Sequence, residues 1–235
     1  MNIDFRDRVA VVTGASSGLG RSTAELLVER GARVTIFARS SERLAEIAGR
    51  HDQRMLAVTG DIADQEAVER LFSETEARFG TCDLLVNNAG MIDPAPLTAT
   101  SPERWDRMFD VNVRGTFLAT RRALPAMMAR RSGAIVNVAS ISGVVGPPKF
   151  PGYVSYCASK GAVISLTEAL AVEVKDLGIR VNCVSPGSVD TPMWAAASGG
   201  AAADMTPREV AETILFLLSD RSKPMNGQNL NVYSA

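Results

Sequence analysis

With 235 residues and a net charge of −1, 25 Lys and Arg against 26 Asp and Glu, the chain has the length of one domain with a sizeable core. It lacks the basic field expected of a nucleic-acid binder. Its single histidine, His51, excludes a His-based triad and a multi-histidine metal site. Cys82, Cys157 and Cys183 form no Cys-x-x-Cys and are expected as reduced thiols, with Cys157 reactive if exposed.

The opening stretch, Met1 to Arg8, carries acidic residues and no apolar run, so no signal peptide, no membrane span and a cytosolic location are expected. Arg8-Val9-Ala10-Val11-Val12 then reads as a buried strand running into the turn Thr13-Gly14-Ala15-Ser16-Ser17-Gly18-Leu19-Gly20, followed by an amphipathic helix to about Arg30. A glycine-rich turn between strand and helix lets backbone approach a pyrophosphate and aims helix N-terminal N–H groups at it. Strand-like runs recur at Arg33–Phe37, Met55–Val58, Asp83–Val86, Ala134–Val138, Arg180–Val184 and Asn229–Val232, with helical patterns between most of them. One helix, around Val68, Leu71, Phe72, Thr75 and Phe79, stops at Gly80. Continuous apolar strands alternating with helices predict an α/β, doubly wound domain with a mostly parallel sheet of about seven strands and helices on both faces.

Two longer segments, Pro102–Arg131 and Ser155–Leu177, carry more apolar surface than one sheet face needs, and Pro125 is expected to bend the first. Inside the second, Tyr156 and Lys160 stand at i and i+4, on one helix face. A unit charge about 4 Å from the phenol at an effective dielectric of about 20 is worth roughly 4 kcal/mol. That is enough to bring a phenol from about 10 toward 7 to 8 and make it a proton donor or acceptor near neutral pH.

These features together resemble the short-chain dehydrogenase/reductase family over nearly the whole chain. The glycine pattern is that family's Thr-Gly-x-x-x-Gly-x-Gly, and Asp61, Asn87-Asn88-Ala89-Gly90, Asn112, Ser140, Tyr156-x-x-x-Lys160 and Pro186-Gly187 follow in its order. The resemblance implies a single Rossmann-type domain over residues 1–235 and an NAD(P)-dependent oxidoreductase acting on a small-molecule carbonyl or secondary alcohol. It further implies a relay of Asn112, Ser140, Tyr156 and Lys160. In that relay Ser140, preferred over Ser142, holds the substrate oxygen, Tyr156 moves the proton, and Lys160 also binds the nicotinamide ribose. Asn112 holds a water that links Lys160 to solvent. The dinucleotide is expected on Gly14, Ser16, Ser17, Gly18, Leu19 and Gly20, with Asp61 and Ile62 at the adenine and Asn88, Ala89 and Gly90 beyond. Pro186, Gly187, the Val189 backbone and Thr191 meet the nicotinamide.

After the second strand, roughly 20 residues beyond the last glycine of the turn, an acid would bind the ribose hydroxyl. Ala38 stands there instead, and Arg39 with Ser40 and Ser41 offers a clamp for a 2′-phosphate, favouring NADP(H) over NAD(H). The chain departs from the family in three places. The Ser140-to-Tyr156 interval is long around Pro147 to Gly152, which predicts a bulged loop at the site mouth. The lid near 193–205 is short and rich in Ala and Gly, suggesting an open or mobile pocket. The end, Asn229 to Ala235, lacks the family's Asp-Gly-Gly. A homotetramer or dimer paired through the two long helices follows from the resemblance, while the charge, the opening stretch and the single histidine lead to the expectation of no nucleic acid, no membrane partner and no metal. Two alternatives stay open. One is a 3-oxoacyl-acyl-carrier-protein reductase docking an acidic carrier on Arg121, Arg122, Arg130 and Arg131, residues that read equally as a solvated face. The other is a dinucleotide-binding sensor or scaffold without turnover.

Overall fold

The computed structural model describes residues 3–51 and 53–233, so Met1, Asn2, Ser234 and Ala235 of the terminal segments lie outside it. Seven strands among these residues form one sheet, all paired in parallel, in the order β3-β2-β1-β4-β5-β6-β7. They are β1 (Val9–Thr13), β2 (Arg33–Ala38), β3 (Met55–Thr59), β4 (Leu84–Asn87), β5 (Gly133–Val138), β6 (Ile179–Pro186) and β7 (Asn229–Val232). Every residue of β1 and β4 is buried, because helices cover both faces of the sheet and leave no solvent side to alternate with.

Helices α1 (Gly18–Glu29), α2 (Ser41–Gly49) and α8 (Pro207–Leu218) pack one core against the sheet through Leu26, Leu27, Leu44, Ile47, Ile214 and Leu215. On the opposite face α3 (Gln65–Phe79), α5 (Gly115–Arg130) and α6 (Val154–Val174) bury Leu71, Phe72, Ala123, Met127, Ala171 and Val174. Local chemistry sets the helix limits. Asp64 caps α3, Ser101 precedes Pro102 at the start of α4 (Pro102–Phe109), and Thr206 with Glu209 forms a capping box on α8. Gly80, with φ 95°, ends α3 where the sequence places its stop.

The segment from Pro102 to Arg130 departs from α geometry at Asp110–Arg114, a π-helical turn that joins α4 to α5. This turn lies a dozen residues before Pro125, which sits inside α5. A π turn widens the helix by one residue and re-aims the side chains around it. Here it buries Asn112.

The chain leaves β1 toward β2 on one side and returns to β4 on the other. The carboxyl ends of β1 and β4 therefore flank the point where strand order reverses, which is where doubly wound folds open a crevice. No helix among the described residues is long and apolar enough to cross a membrane.

Candidate active site

A cleft of about 720 Å³ opens at this edge, bounded by the glycine turn at one end and by Ser140, Tyr156 and Lys160 at the other. Of the residues expected at the site, all but Asn112 line it: Gly14 to Gly20 apart from Ala15, Arg39, Asp61, Ile62, Asn88 to Gly90, Pro186, Gly187, Val189 and Thr191 among them.

The glycine end is shaped by backbone contact. A Cβ on Gly14 would come 2.6 Å from Ala89 Cα, and one on Gly20 would come 2.3 Å from Asn88 Nδ2. Only glycine fits at either place. Asn88 braces the turn by donating through Nδ2 to the carbonyls of Thr13 (3.0 Å) and Gly14 (3.1 Å). Thr13 Oγ1 in turn accepts from the N–H groups of Asn88 and Ala89, a role the sequence reading left unassigned. Ser17, at the N-cap of α1, makes no side-chain cap bond, and the first turn carries no acid. Its N–H groups and positive end are thus presented toward the cleft, the arrangement that suits a phosphate.

At the end of β2, Ala38 lines the cleft without a carboxylate, and exposed Arg39 and Arg43 stand beside it with Ser40. Arg43 also lines an adjoining niche with Ser16, Ser17 and Arg21. It was missed from the sequence, although Arg39 and Arg43 are four apart at the entry to α2. Asp61 accepts from the Ala63 N–H at 3.0 Å and pairs with Arg107 at 2.6 Å. Burial works to raise the Asp61 carboxyl, but those two partners and the nearby Arg39 hold it below its ordinary value.

At the other end, Ser140 follows β5 and starts a short 3₁₀ turn, its Oγ accepting from the Ser142 N–H at 3.1 Å. This turn presses directly on α6: a Cβ on Gly143 would lie 2.5 Å from the Lys160 carbonyl carbon. That contact is what brings Ser140 to Tyr156. Both Tyr156 and Lys160 are buried, at 8% and 4% exposure, on the face of α6 that looks into the cleft.

The electrostatics differ from the sequence expectation. Burial pushes the Tyr156 phenol up to about 12, with the Ser140 hydroxyl working in the opposite direction. Lys160 does not bring it down toward neutrality. Its Nζ donates to the Val138 carbonyl at 2.8 Å and sits 5.8 Å from the Tyr156 ring centroid. The i, i+4 argument counted a charge about 4 Å from the phenol and left out the burial of the phenol itself, which outweighs it here. Burial likewise pulls Lys160 down to about 8.

Asn112 stands behind the cleft wall, with its Oδ1 and Lys160 Nζ flanking the same point beside Gly90. Its Oδ1 accepts from the Met91 N–H at 2.8 Å, and its Nδ2 donates to the Met91 carbonyl (3.0 Å) and to Ser159 Oγ (2.9 Å). The side chain is used to fasten the backbone after β4 to α6, and it does not line the cleft. Below it, Asn87 Nδ2 donates to Thr120 and Asn137, and Asn137 Nδ2 to Thr167, which ties β4 and β5 to α5 and α6.

The long Ser140-to-Tyr156 interval folds as a loop, as expected. Lys149 Nζ donates to the carbonyls of Ile141 (3.0 Å) and Val144, and the loop delivers Phe150 to the cleft. The segment expected as the lid contains helix α7 (Pro192–Ser198), which is bonded to its surroundings. Trp194 Nε1 donates to the Ala201 carbonyl at 2.9 Å, Tyr153 Oη to the Ala197 carbonyl at 3.3 Å, and Val189 bridges Met205. Ile92, Phe150, Tyr153, Trp194 and Ala197 line the cleft and were not singled out from sequence. All three cysteines are free; Cys82 and Cys183 are buried, and burial pushes the partly covered Cys157 thiol up.

The four arginines considered for carrier docking are largely engaged within the chain. Arg122 pairs with Glu69 and Glu76, each at 2.9 Å. Arg130 reaches Asp83 and the Cys82 carbonyl, Arg131 holds the Asp176 carbonyl, and Arg121 lies over the Phe117 ring.

Comparison with known proteins agrees with this geometry. A family model described as short chain dehydrogenase matches residues 8–201. The chain is 42% identical to a cis-4-hydroxycyclohexanecarboxylate dehydrogenase of Sinomonas cyclohexanicum, covering 97% of this chain and 96% of that one. It is 40% identical to an uncharacterised oxidoreductase of Staphylococcus saprophyticus, covering 94% of each. Among solved structures, levodione reductase superposes with a TM-score of 0.90 at 31% identity, over 97% of this chain and 96% of that one. With a nucleotide-type glycine cradle at one end of its cleft, a Ser-Tyr-Lys group at the other and these relatives, the chain belongs to the short-chain dehydrogenase/reductase family, an oxidoreductase family that uses NAD(P).

Proposed function

We propose that the protein is a reversible ketone reductase and secondary-alcohol dehydrogenase that prefers NADP(H), with Ser140, Tyr156 and Lys160 as its catalytic residues. The observation that carries this reading is the hydrogen bond between the Ser140 and Tyr156 hydroxyls, with buried Lys160 5.8 Å from the Tyr156 ring centroid. The relatives support a carbonyl or alcohol substrate, since one is named for a hydroxycyclohexanecarboxylate, a ring alcohol that also carries a carboxylate, and another as a reductase. The glycines at 14 and 20 let the turn close on Ala89 and Asn88, which supports a pyrophosphate lying along the turn. Once bound, the nicotinamide gives up or takes the hydride.

This chain's own part is positioning and proton transfer. Ser140, whose oxygen already accepts from the Ser142 N–H, keeps its own proton to donate to the substrate oxygen. Tyr156 supplies the second hydrogen bond and, in reduction, the proton. In that direction the carbonyl carbon gains a hydride, its oxygen a proton, and the dinucleotide is oxidised. Lys160, fixed by the Val138 carbonyl, holds positive charge beneath the site as negative charge develops on oxygen. Asn112 acts through its grip on Met91 and Ser159 and is a positioning residue.

Arg39 and Arg43 beside acid-free Ala38 support the NADP(H) preference. Exposed Phe117, Met128 and Val172 on the two long helices support self-association as a dimer or tetramer. The internally engaged arginines favour a free small molecule over a carrier-bound thioester. A turnover screen of ketones and alcohols with each cofactor pair, read at the nicotinamide absorbance, tests the reading. Absence of turnover with every substrate, in protein that binds the dinucleotide, would leave the sensor reading in its place.

A further inference from the structure

The wall beside Tyr156 is apolar, and its polar tips are bonded to the protein itself. Met108, Tyr153 and Tyr156 form a buried cluster against which Met91, Ile92, Cys157 and Ala197 pack. Tyr153 stands edge-on to Tyr156 with ring centroids 6.1 Å apart, and Phe150 lies 5.4 Å from Tyr153 on its other side. The Tyr153 hydroxyl is held by Ala197 and the Trp194 indole N–H by Ala201, so both aromatics offer ring surface to a ligand.

The charged groups near this wall stand at other parts of the cleft or are bonded within the chain. Arg39, Arg43, Asp61 and Arg107 gather past the ends of β2 and β3, at the opposite part of the cleft. Asp204 accepts from Ser188 Oγ at 2.5 Å beyond β6. Lys149, next to Phe150, turns its ammonium onto two backbone carbonyls. Asp93, next to Ile92, is paired with Arg104 at 2.6 Å and does not line the cleft. Among the described residues, the cation that lines the cleft at this end is Lys160, which is 4% exposed and bonded to Val138.

Resting on the ketone and alcohol reading above, we infer that the substrate is uncharged, with its ring or hydrocarbon body against Ile92, Phe150 and Tyr153. A carboxylate placed there would lose its hydration, and the nearby Lys149 ammonium, which acts on Cys157, is already bonded to the Ile141 and Val144 carbonyls, whereas hydrocarbon would lose water from both surfaces. The relation between partner and wall is thus one of exclusion as much as attraction.

The experiment compares matched ketones with NADPH at pH 7: 4-methylcyclohexanone against 4-oxocyclohexanecarboxylate, and acetophenone against 4-acetylbenzoate. The wild-type protein should turn over the neutral member with kcat/KM at least about tenfold higher. Phe150→Arg, at a position 53% exposed and so tolerant of a charged side chain, should shift that ratio toward the anion. Equal rates or a preference for the anion overturn the inference and leave the dehydrogenase reading standing. A wild-type preference that Phe150→Arg does not move overturns the assignment of this wall. No reduction of any of the four, in protein shown by fluorescence to bind NADPH, overturns the dehydrogenase reading and this inference with it.

Discussion

Gly143 lies against the backbone of Lys160 so closely that a Cβ there would meet the Lys160 carbonyl carbon at 2.5 Å and the Gly161 nitrogen at 2.6 Å. The loop that carries Ser140 is thereby seated on the helix that carries Tyr156. Gly143→Ala has to push the two apart, so turnover should fall well below wild type, and overpacking should cost about 1 to 3 kcal/mol of stability. Thermal melts together with kcat measure both. Wild-type kcat in the alanine variant would show that the seating is immaterial to the reaction.

Tyr156→Phe removes the transferable proton and little else, so turnover should drop by roughly 10² to 10⁴ while the dinucleotide still binds. Lys160→Ala should weaken both binding and turnover. Stopped-flow rates and cofactor titration separate the two, and near-normal chemistry in Tyr156→Phe would remove that residue from the mechanism.

The buried pair sets a pH dependence whose sign can be worked out. Lys160 holds its proton to about 8 when folded and to 10.5 otherwise. Between those values the unfolded chain binds more protons, and stability gains as the pH rises. Tyr156, at about 12 against 10.0, acts oppositely: its contribution is intact below 10 and lost as the pH climbs through 12. Relative to wild type, Lys160→Met should therefore be favoured more at pH 7 than at pH 9.5. Urea titrations at the two pH values check this, and a difference that grows with pH would contradict it. The same high phenol value keeps Tyr156 an acid at neutral pH, so alcohol oxidation should accelerate toward alkaline pH more steeply than ketone reduction.

Removing the Arg39 guanidinium should weaken NADP(H) by about 1.5 to 3 kcal/mol and leave NAD(H) nearly as it was. Arg43→Ala should act in the same direction, because it lines the cleft beside Arg39. Ala38→Asp should move preference toward NAD(H) by repelling the phosphate. Dissociation constants for both cofactors decide the matter, and an unchanged ratio in Arg39→Ala would defeat the assignment.

Tyr153→Phe leaves the aromatic wall in place and releases the Ala197 carbonyl, loosening α7 by the worth of one hydrogen bond, about 0.5 to 1.5 kcal/mol. KM for the ketone should rise with kcat nearly constant. A fall in kcat at unchanged KM would mean that Tyr153 serves the chemistry and not the lid.

Much of this fold was legible because both sheet faces are covered, so β1 and β4 read as unbroken apolar runs, and Gly14 and Gly20 are places where backbone meets backbone. What stayed hidden depends on partners distant in sequence. The use of Asn112 is decided by Met91, 21 residues away, and Ser159, 47 away, neither of which carries a motif. The height of the Tyr156 pKa is decided by burial, which spacing within a helix does not report. The π turn at Asp110–Arg114 has no proline or glycine within it to announce it. Arg43 was within reach, since a helix entry places it one turn beyond Arg39.

The bracing of Gly14 by Asn88 also has a meaning for the order of events during synthesis. The glycine turn is complete as sequence once Gly20 has been made, yet its support arrives 74 residues after Gly14, together with β4. A nascent chain that ends before Asn88 carries the phosphate-binding segment without the platform that shapes it, and a ribosome-released fragment of that length should fail to retain dinucleotide. The cofactor can therefore reward folding only after the first half of the sheet has assembled, so it acts on the late, committed chain and not on its earliest collapse.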